Sequence, residues 1–411
     1  MRILYNSGIY LYYFSIYVFS FFNEKANKWW NGRKGLLEEC KLQFNKNEKI
    51  AWFHAASLGE FEQGRTVIEK FKIRYPDYKI LLTFFSPSGY EVRKTYENAD
   101  YVLYLPIDTP GNAKKFIEII NPEIVFFIKY EFWFNYLKIL HEKKIKTYLI
   151  SGIFRPQQHF FKFYGVWFRK QLHHFTYFFV QHEASKQLLQ SIGLKNVSIS
   201  GDTRFDRVFE IAANKKSFPL IEKFKSSNPI LLAGSSWETD EEILINFMKL
   251  HEKSNLLYII APHEIHNDRI HELQKKLPFP SLLFSEANDN NINDVKILII
   301  NNIGILSHLY QYATIAMIGG GFGKGIHNIL EAATFGNPIL FGPNYHKFSE
   351  AVEMIRLKGG FEFIDLDDFN IKIQHLLEDT YFFAQTKEIC LAYINSNKGA
   401  TEKILQQINI Q

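Results

Sequence analysis

Residues Thr314–Pro343 read TIAMIGGGFGKGIHNILEAATFGNPILFGP. Thr314–Ile318 is a short apolar run with the pattern of a buried strand. Gly319, Gly320, Gly321, Gly323 and Gly325 follow, too dense for the interior of a helix or strand. A helical pattern begins near His327, and Pro338–Phe341 reads as a further strand. Strand, glycine loop, helix and strand make a βαβ unit, whose loop and helix N-terminus offer backbone N–H groups to an anion. Glu331 lies four residues after His327, one helical turn on, where a carboxylate can accept the two hydroxyls of a ribose. Two readings fit. One is a nucleotide pocket formed by Gly323, Gly325, His327, Asn328 and Glu331. The other is a glycine-rich turn in an ordinary α/β domain, with His327 and Asn328 capping the helix.

The same alternation runs through most of the chain. Ile50–Phe53, Ile80–Thr83, Tyr101–Tyr104, Ile124–Ile128, Thr147–Ile150, Tyr177–Val180 and Val197–Ser200 are short apolar runs separated by helical segments. That is the signature of a doubly wound parallel sheet. Ala213–Pro229, ANKKSFPLIEKFKSSNP, is polar and reads as a linker. Strand-like runs restart at Ile230–Ala233, Leu256–Ala261, Val295–Ile300, Ile315–Ile318, Pro338–Phe341 and Phe361–Ile364. The expected organisation is an N-terminal helix with a basic flank (1–35), a Rossmann-like domain (36–212), a linker (213–229) and a second Rossmann-like domain (230–411). The last helix is free to pack back on the first domain. Two such domains facing a cleft form the α/β GT-B architecture, a pattern that periplasmic binding proteins and some epimerases share.

With 411 residues, 46% hydrophobic and 22% charged, the chain supports two folded cores. The net charge of +5 is spread along the sequence, so no nucleic-acid footprint is indicated. It suits an anionic membrane surface or phosphorylated substrates. Two cysteines allow no disulfide framework, which points to a reducing compartment. Ile9–Phe22, IYLYYFSIYVFSFF, is apolar but for two serines, and Lys25, Lys28, Arg33 and Lys34 follow it. This segment is expected to anchor the chain, either spanning a bilayer or lying in its interface, with a hydrophobic helix packed on the body of the protein as the alternative. The trailing positive charge would keep the rest of the chain on the cytoplasmic side.

Further loops follow strands, where open α/β sheets bind ligands. After the first, Ser57–Glu60 opens a helix with a first-turn carboxylate that the helix dipole itself favours. Thr83–Gly89 offers Ser86 and Ser88, with Ser88 as a candidate N-cap. Glu131 lies beside Trp133, Ser235 and Ser236 follow Ile230–Ala233, and His263 and His266 follow Leu256–Ala261. Two histidines three apart are too little for a metal site.

Taken in order, these motifs resemble the bacterial Kdo transferase family, which moves 3-deoxy-D-manno-octulosonic acid (Kdo) from CMP-Kdo to a lipid A precursor. The resemblance rests on the N-terminal apolar segment, S-x-G-E at Ser57–Glu60 and a T-x-x-S/T-P-S/T-G-like turn at Thr83–Gly89. It continues with E-x-W at Glu131–Trp133, G-[ND]-x-[KR]-F-D at Gly201–Asp206 and G-x-H-N-x-x-E at Gly325–Glu331. Three places depart from the family pattern. Lys129 stands where a second Glu is usual, Ile153 and Arg155 replace an Asn-Ala-Arg-Leu-Ser-like run, and His263 takes the place of an Arg.

The resemblance implies a metal-independent, cofactor-free, inverting transferase at the inner membrane. Glu60 would be the base. Ser235, Ser236, His263, Gly323, Gly325, His327, Asn328 and Glu331 would bind the donor. Ser57, Ser86, Ser88, Glu131 and Arg204 would contact acceptor or Kdo. The first domain would take the acceptor and the second CMP-Kdo. Two alternatives stand beside it: a GT-B transferase using a UDP-sugar, and a non-catalytic, membrane-tethered nucleotide-sugar binding protein.

Overall fold

A computed structural model describes residues 1–45 and 47–408. The chain forms two compact units, one of Met1–Asp206 together with the segment from Lys398 onward, the other of Arg207–Asn397.

In the first unit seven parallel strands follow the order β3-β2-β1-β4-β5-β6-β7. They are β1 (Lys49–Ala55), β2 (Tyr78–Phe84), β3 (Tyr101–Tyr104), β4 (Pro122–Ile128), β5 (Lys146–Gly152), β6 (Tyr177–Val180) and β7 (Val197–Ile199). The central strands are apolar on both faces, as a sheet covered on both sides requires. Ile50, Trp52, Val125 and Phe127 enter one core, and Ala51, Phe53, Ile124 and Phe126 the other. The order reverses between β1 and β4, and at such a switch point the diverging loops leave a crevice beyond the carboxyl ends.

The N-terminal segment forms α1 (Arg2–Phe19), followed by α2 (Glu24–Asn31) and α3 (Leu36–Gln43). Among the described residues no helix is long and apolar enough to cross a membrane. One face of α1 is built into the unit. The Tyr5 hydroxyl donates to Asp108 Oδ2 at 2.5 Å, Asn135 donates to the Asn6 side chain at 3.0 Å, and Tyr13 packs 4.6 Å from Trp30. The opposite face leaves Leu4, Leu11 and Phe14 exposed, as are Phe19 at the helix end and Phe22 beyond it. The basic flank is also not what its composition suggests. Arg33 reaches inward, its guanidinium donating to the carbonyls of Leu105, Trp29 and Phe85 at 2.9, 2.9 and 2.6 Å, with its carbon 3.8 Å from the Trp29 ring centre. Burial brings its pKa down to about 9. Lys28 pairs with Glu24 at 2.6 Å.

The second unit has seven parallel strands in the order β10-β11-β9-β8-β12-β13-β14. They are β8 (Ile230–Ser236), β9 (Leu257–Pro262), β10 (Ser281–Leu283), β11 (Ile297–Ile299), β12 (Ile315–Ile318), β13 (Ile339–Phe341) and β14 (Gly360–Glu362). Its switch point lies between β8 and β12. The stretch expected as a linker carries the helix Pro219–Lys225, whose Ile221 and Phe224 are buried in this unit. The chain passes between units at Asp206 and again at Lys398. The helix Ala400–Gln407 belongs to the first unit, where Thr401 meets Thr66 at 2.8 Å and Glu402 pairs with Arg74 at 2.7 Å.

Candidate functional site

Each switch point carries its own cluster, one in each unit.

In the second unit, β8 breaks register against β9 between Gly234 and Ser236, and Ser235 takes φ 53°, a conformation rare for a non-glycine residue. The irregularity places Ser236 inside. Its hydroxyl donates to Glu241 Oε1 at 2.9 Å, and Glu241 is paired with Arg269. The next turn is pinned to the glycine loop by Asp240, whose Oδ2 accepts the backbone N–H of both Trp237 and Gly320 at 2.9 Å. Burial raises the Asp240 pKa against those two donors. The spacing of Asp240, three residues after Trp237, is that of a capping acid, a signal the sequence reading passed over.

The glycine loop packs more tightly than a phosphate cradle alone requires. A Cβ on Gly319 would lie 2.2 Å from the Ser235 carbonyl oxygen, and Gly325 has φ 137°. The helix expected from His327 is confined to Leu330–Ala333. Asn328 lies two residues before it, its Oδ1 accepting the Leu330 N–H at 3.2 Å and its Nδ2 donating to Glu331 at 3.1 Å, while Ile329 is the N-cap. Four residues sum little macrodipole, so attraction for an anion must come from loop N–H groups and side chains.

A cavity of about 780 Å³ opens here, within the range of small-ligand pockets. Among the anticipated donor residues, Ser236, His263, Gly323, Gly325 and His327 line it, whereas Ser235, Asn328 and Glu331 are not in its wall. Trp237, Arg269 and Lys324 also line it and were not anticipated. Trp237 Nε1–H donates to His327 Nε2 at 3.1 Å, and the His263 ring packs face-on against both, 4.6 and 4.5 Å between centres. Desolvation, with His263 adding to it, lowers the His327 pKa to about 4. The result is an aromatic wall facing a loop of N–H groups, with Lys324 as a nearby cation.

In the first unit, Ser57 ends the loop after β1 as N-cap of α4 (Leu58–Arg74), and Glu60 stands in the first turn. The Ser57 hydroxyl donates to Glu60 Oε2. After β4 the backbone turns at Lys129 (φ 70°). The next residue, Tyr130, gathers the charges. The Lys129 ammonium and the Arg155 guanidinium lie 5.2 and 5.9 Å from its ring centre. Its hydroxyl pKa is raised mainly by burial, lowered by Arg155, raised by Glu60 and lowered by Arg204. Arg204 donates twice to Asp202 Oδ2, at 2.9 and 2.7 Å. The departing positions Lys129 and Arg155 thus put cations into the cluster that holds Glu60, while Ile153 adds no polar group. Glu131 is buried and receives the Trp133 Nε1–H at 2.6 Å. Ser86, not Ser88, is the N-cap of α5 (Pro87–Arg93), accepting the Ser88 N–H at 3.3 Å.

A sequence model described as 3-deoxy-D-manno-octulosonic-acid transferase (kdotransferase) matches residues 28–207. A 3-deoxy-D-manno-octulosonic acid transferase of Aquifex aeolicus is 29% identical over 345 residues, 81% of this chain and 87% of that one. One of Rickettsia felis is 25% identical over 390 residues, 91% of this chain and 82% of that one. Among solved structures, UDP-GlcNAc 2-epimerase of Neisseria meningitidis superposes with TM-score 0.60 at 15% identity, covering 87% of this chain and 98% of that one. A glycosyltransferase of Rickettsia africae does so with TM-score 0.58 at 16% identity, covering 88% and 97%. These structural likenesses establish the two-domain Rossmann-like fold. The sequence matches run across both units, so the chain is similar over most of its length to 3-deoxy-D-manno-octulosonic acid transferases.

Proposed function

We propose that this chain transfers Kdo from CMP-Kdo to a sugar hydroxyl of a lipid A precursor, with inversion. The observation that carries the chemistry is Glu60 at the first switch point, beside a tyrosine that also feels Arg155 and Arg204. Glu60 takes the proton of the acceptor hydroxyl as its oxygen bonds to the anomeric carbon. The bond from that carbon to the CMP phosphate oxygen breaks, and the phosphate leaves with the electron pair. Kdo is a sugar acid, so Lys129, Arg155 and Arg204 suit its carboxylate or an acceptor phosphate. In the second unit Lys324 and the loop N–H groups offset the charge developing on the leaving phosphate. The wall of Trp237, His263 and His327 suits the nucleoside. The exposed apolar face of α1 supports a seat in the interfacial layer of the cytoplasmic leaflet, where such an acceptor lies.

The test is mass spectrometry of a lipid A precursor after incubation with the protein and freshly generated CMP-Kdo. A gain of one or more Kdo units is expected, with competition by CMP and not by UDP. Glu60→Gln should abolish the gain and keep CMP affinity. No gain with active donor and folded protein, or full activity of the Gln variant, would overturn the proposal.

A further inference from the structure

His54, on β1, is fully buried and has no part in the chemistry above. Its Nδ1 lies 2.8 Å from Thr83 Oγ1, and its Nε2 lies 3.0 Å from Glu131 Oε2. Counting protons fixes which atom donates. Trp52 Nε1–H already donates to Thr83 Oγ1 at 2.8 Å, so that hydroxyl sends its own hydrogen elsewhere. Its acceptors are His54 Nδ1 at 2.8 Å and the Phe53 carbonyl at 3.4 Å, and the shorter contact takes it. Nδ1 is therefore the acceptor and the imidazole proton sits on Nε2, pointing at Glu131. The other tautomer would set a nitrogen lone pair against a carboxylate oxygen at 3.0 Å.

Glu131 Oε2 thus receives two N–H groups, from His54 and from Trp133 at 2.6 Å; the Trp133 Nε1–H also lies 3.0 Å from His54 Nε2, and the shorter contact to Glu131 takes it. Its Oε1 accepts no hydrogen bond among the described residues and is not sealed from solvent. The terminal torsion of a glutamate is broad and two-fold, so an untethered carboxylate presents either oxygen in any direction. Here one oxygen is fixed and the other is left open, on the loop that follows β4 at the switch point.

We infer that His54 is a positioning residue, which anchors Oε2 of Glu131 so that Oε1 alone meets a hydroxyl of the bound sugar. The inference rests on the reading that Glu131 touches substrate. It extends a line of donors, Trp52 to Thr83 to His54 to Glu131, from the sheet interior to that atom.

The imidazole geometry supplies its own control. A glutamine side-chain amide reaches the place of Nε2 and an asparagine amide only that of Nδ1. His54→Gln keeps a donor to Glu131, and His54→Asn removes it. In the full-length protein, kcat/KM for transfer should fall about ten- to a hundred-fold in His54→Asn and stay within about three-fold of wild type in His54→Gln. CMP affinity should be unchanged in both. Trp133→Phe removes the second donor from a partly exposed position, where folding is less at risk than in the core, and should lower kcat/KM in the same direction. Equal effects of the two His54 variants, whether both active or both impaired with matching losses of Tm, would overturn the positioning role. Wild-type activity of Glu131→Gln would overturn it together with the reading of Glu131 as a substrate contact. Loss in Glu131→Gln with equal activity of the His54 variants would overturn the positioning role alone.

Discussion

Gly319→Ala is the sharpest probe of the second unit. Gly319 directly follows β12, and a Cβ built there lies 2.2 Å from the Ser235 oxygen and 2.6 Å from the Ser236 Cα. Both are backbone atoms of the irregular end of β8, so no rotamer change relieves the clash. Ordinary contact begins at 3.4 Å, which requires the two loops to part by about 1.2 Å. That movement strains the Gly319 N–H to Gly234 carbonyl bond (2.9 Å) and the His327 N–H to Gly319 carbonyl bond (3.1 Å). Overpacking of this kind costs about 1–3 kcal/mol. For a unit of this size that is roughly 2–12 °C in Tm. The pocket wall moves with the loops, and a shift of about 1 Å lowers transfer on the order of 100-fold. Gly323→Ala is the control, since its Cβ would meet only the Gly320 oxygen, at 3.7 Å. It should stay within about 0.5 kcal/mol of wild type. Thermal unfolding and CMP calorimetry on both variants decide the matter. Indistinguishable variants, or a Gly319→Ala protein with wild-type Tm and affinity, would refute the packing argument.

Three further outcomes are expected. By NMR the His327 imidazole should titrate near pH 4, below its ordinary 6.5. Its neutral form is favoured on folding, so its contribution to stability is lost as pH falls from 6.5 toward 4. Trp237→Phe removes the N–H that its Nε2 accepts and should raise the midpoint; an unmoved midpoint would discount that bond. Arg33→Leu leaves three carbonyls without their donor, partly offset by no longer burying a cation, and should cost about 2–4 kcal/mol in urea unfolding. Phe14→Asp, on the exposed face of α1, should weaken partition into anionic vesicles about ten- to a hundred-fold without lowering Tm. Unchanged partition would remove α1 from the membrane contact.

The strands were legible because nearly all are continuous apolar runs, which buried parallel strands must be. The exception was β10, three residues at a sheet edge, too short to rise above its surroundings. The loops were placed correctly after strands, since strand ends were visible, but their partners were not. Nothing in the spacing shows that Asp240 crosses to Gly320, eighty residues away. His327 and Glu331 carry helical spacing, yet loop geometry set by Gly325 keeps His327 out of the helix. Arg33 was read as a membrane flank because its charge was visible and its three carbonyl acceptors were not. The cluster at Tyr130 was missed for the same reason: Lys129, Arg155 and Arg204 meet only once the sheet has closed.

The return of Ala400–Gln407 to the first unit sets a timetable for biosynthesis. Asp206 is buried and accepts the backbone N–H of Thr401, 195 residues further along the chain. A ribosome adding roughly 5–20 amino acids per second reaches that partner roughly 10–40 s after Asp206 is made. Throughout that interval the nascent first unit has its sheet but lacks the helix that packs on α4 at Thr66. Its apolar flank is open to chaperones and to other unfinished chains. The unit synthesised first is therefore completed last, and a premature stop before Lys398 damages the half of the protein it does not truncate.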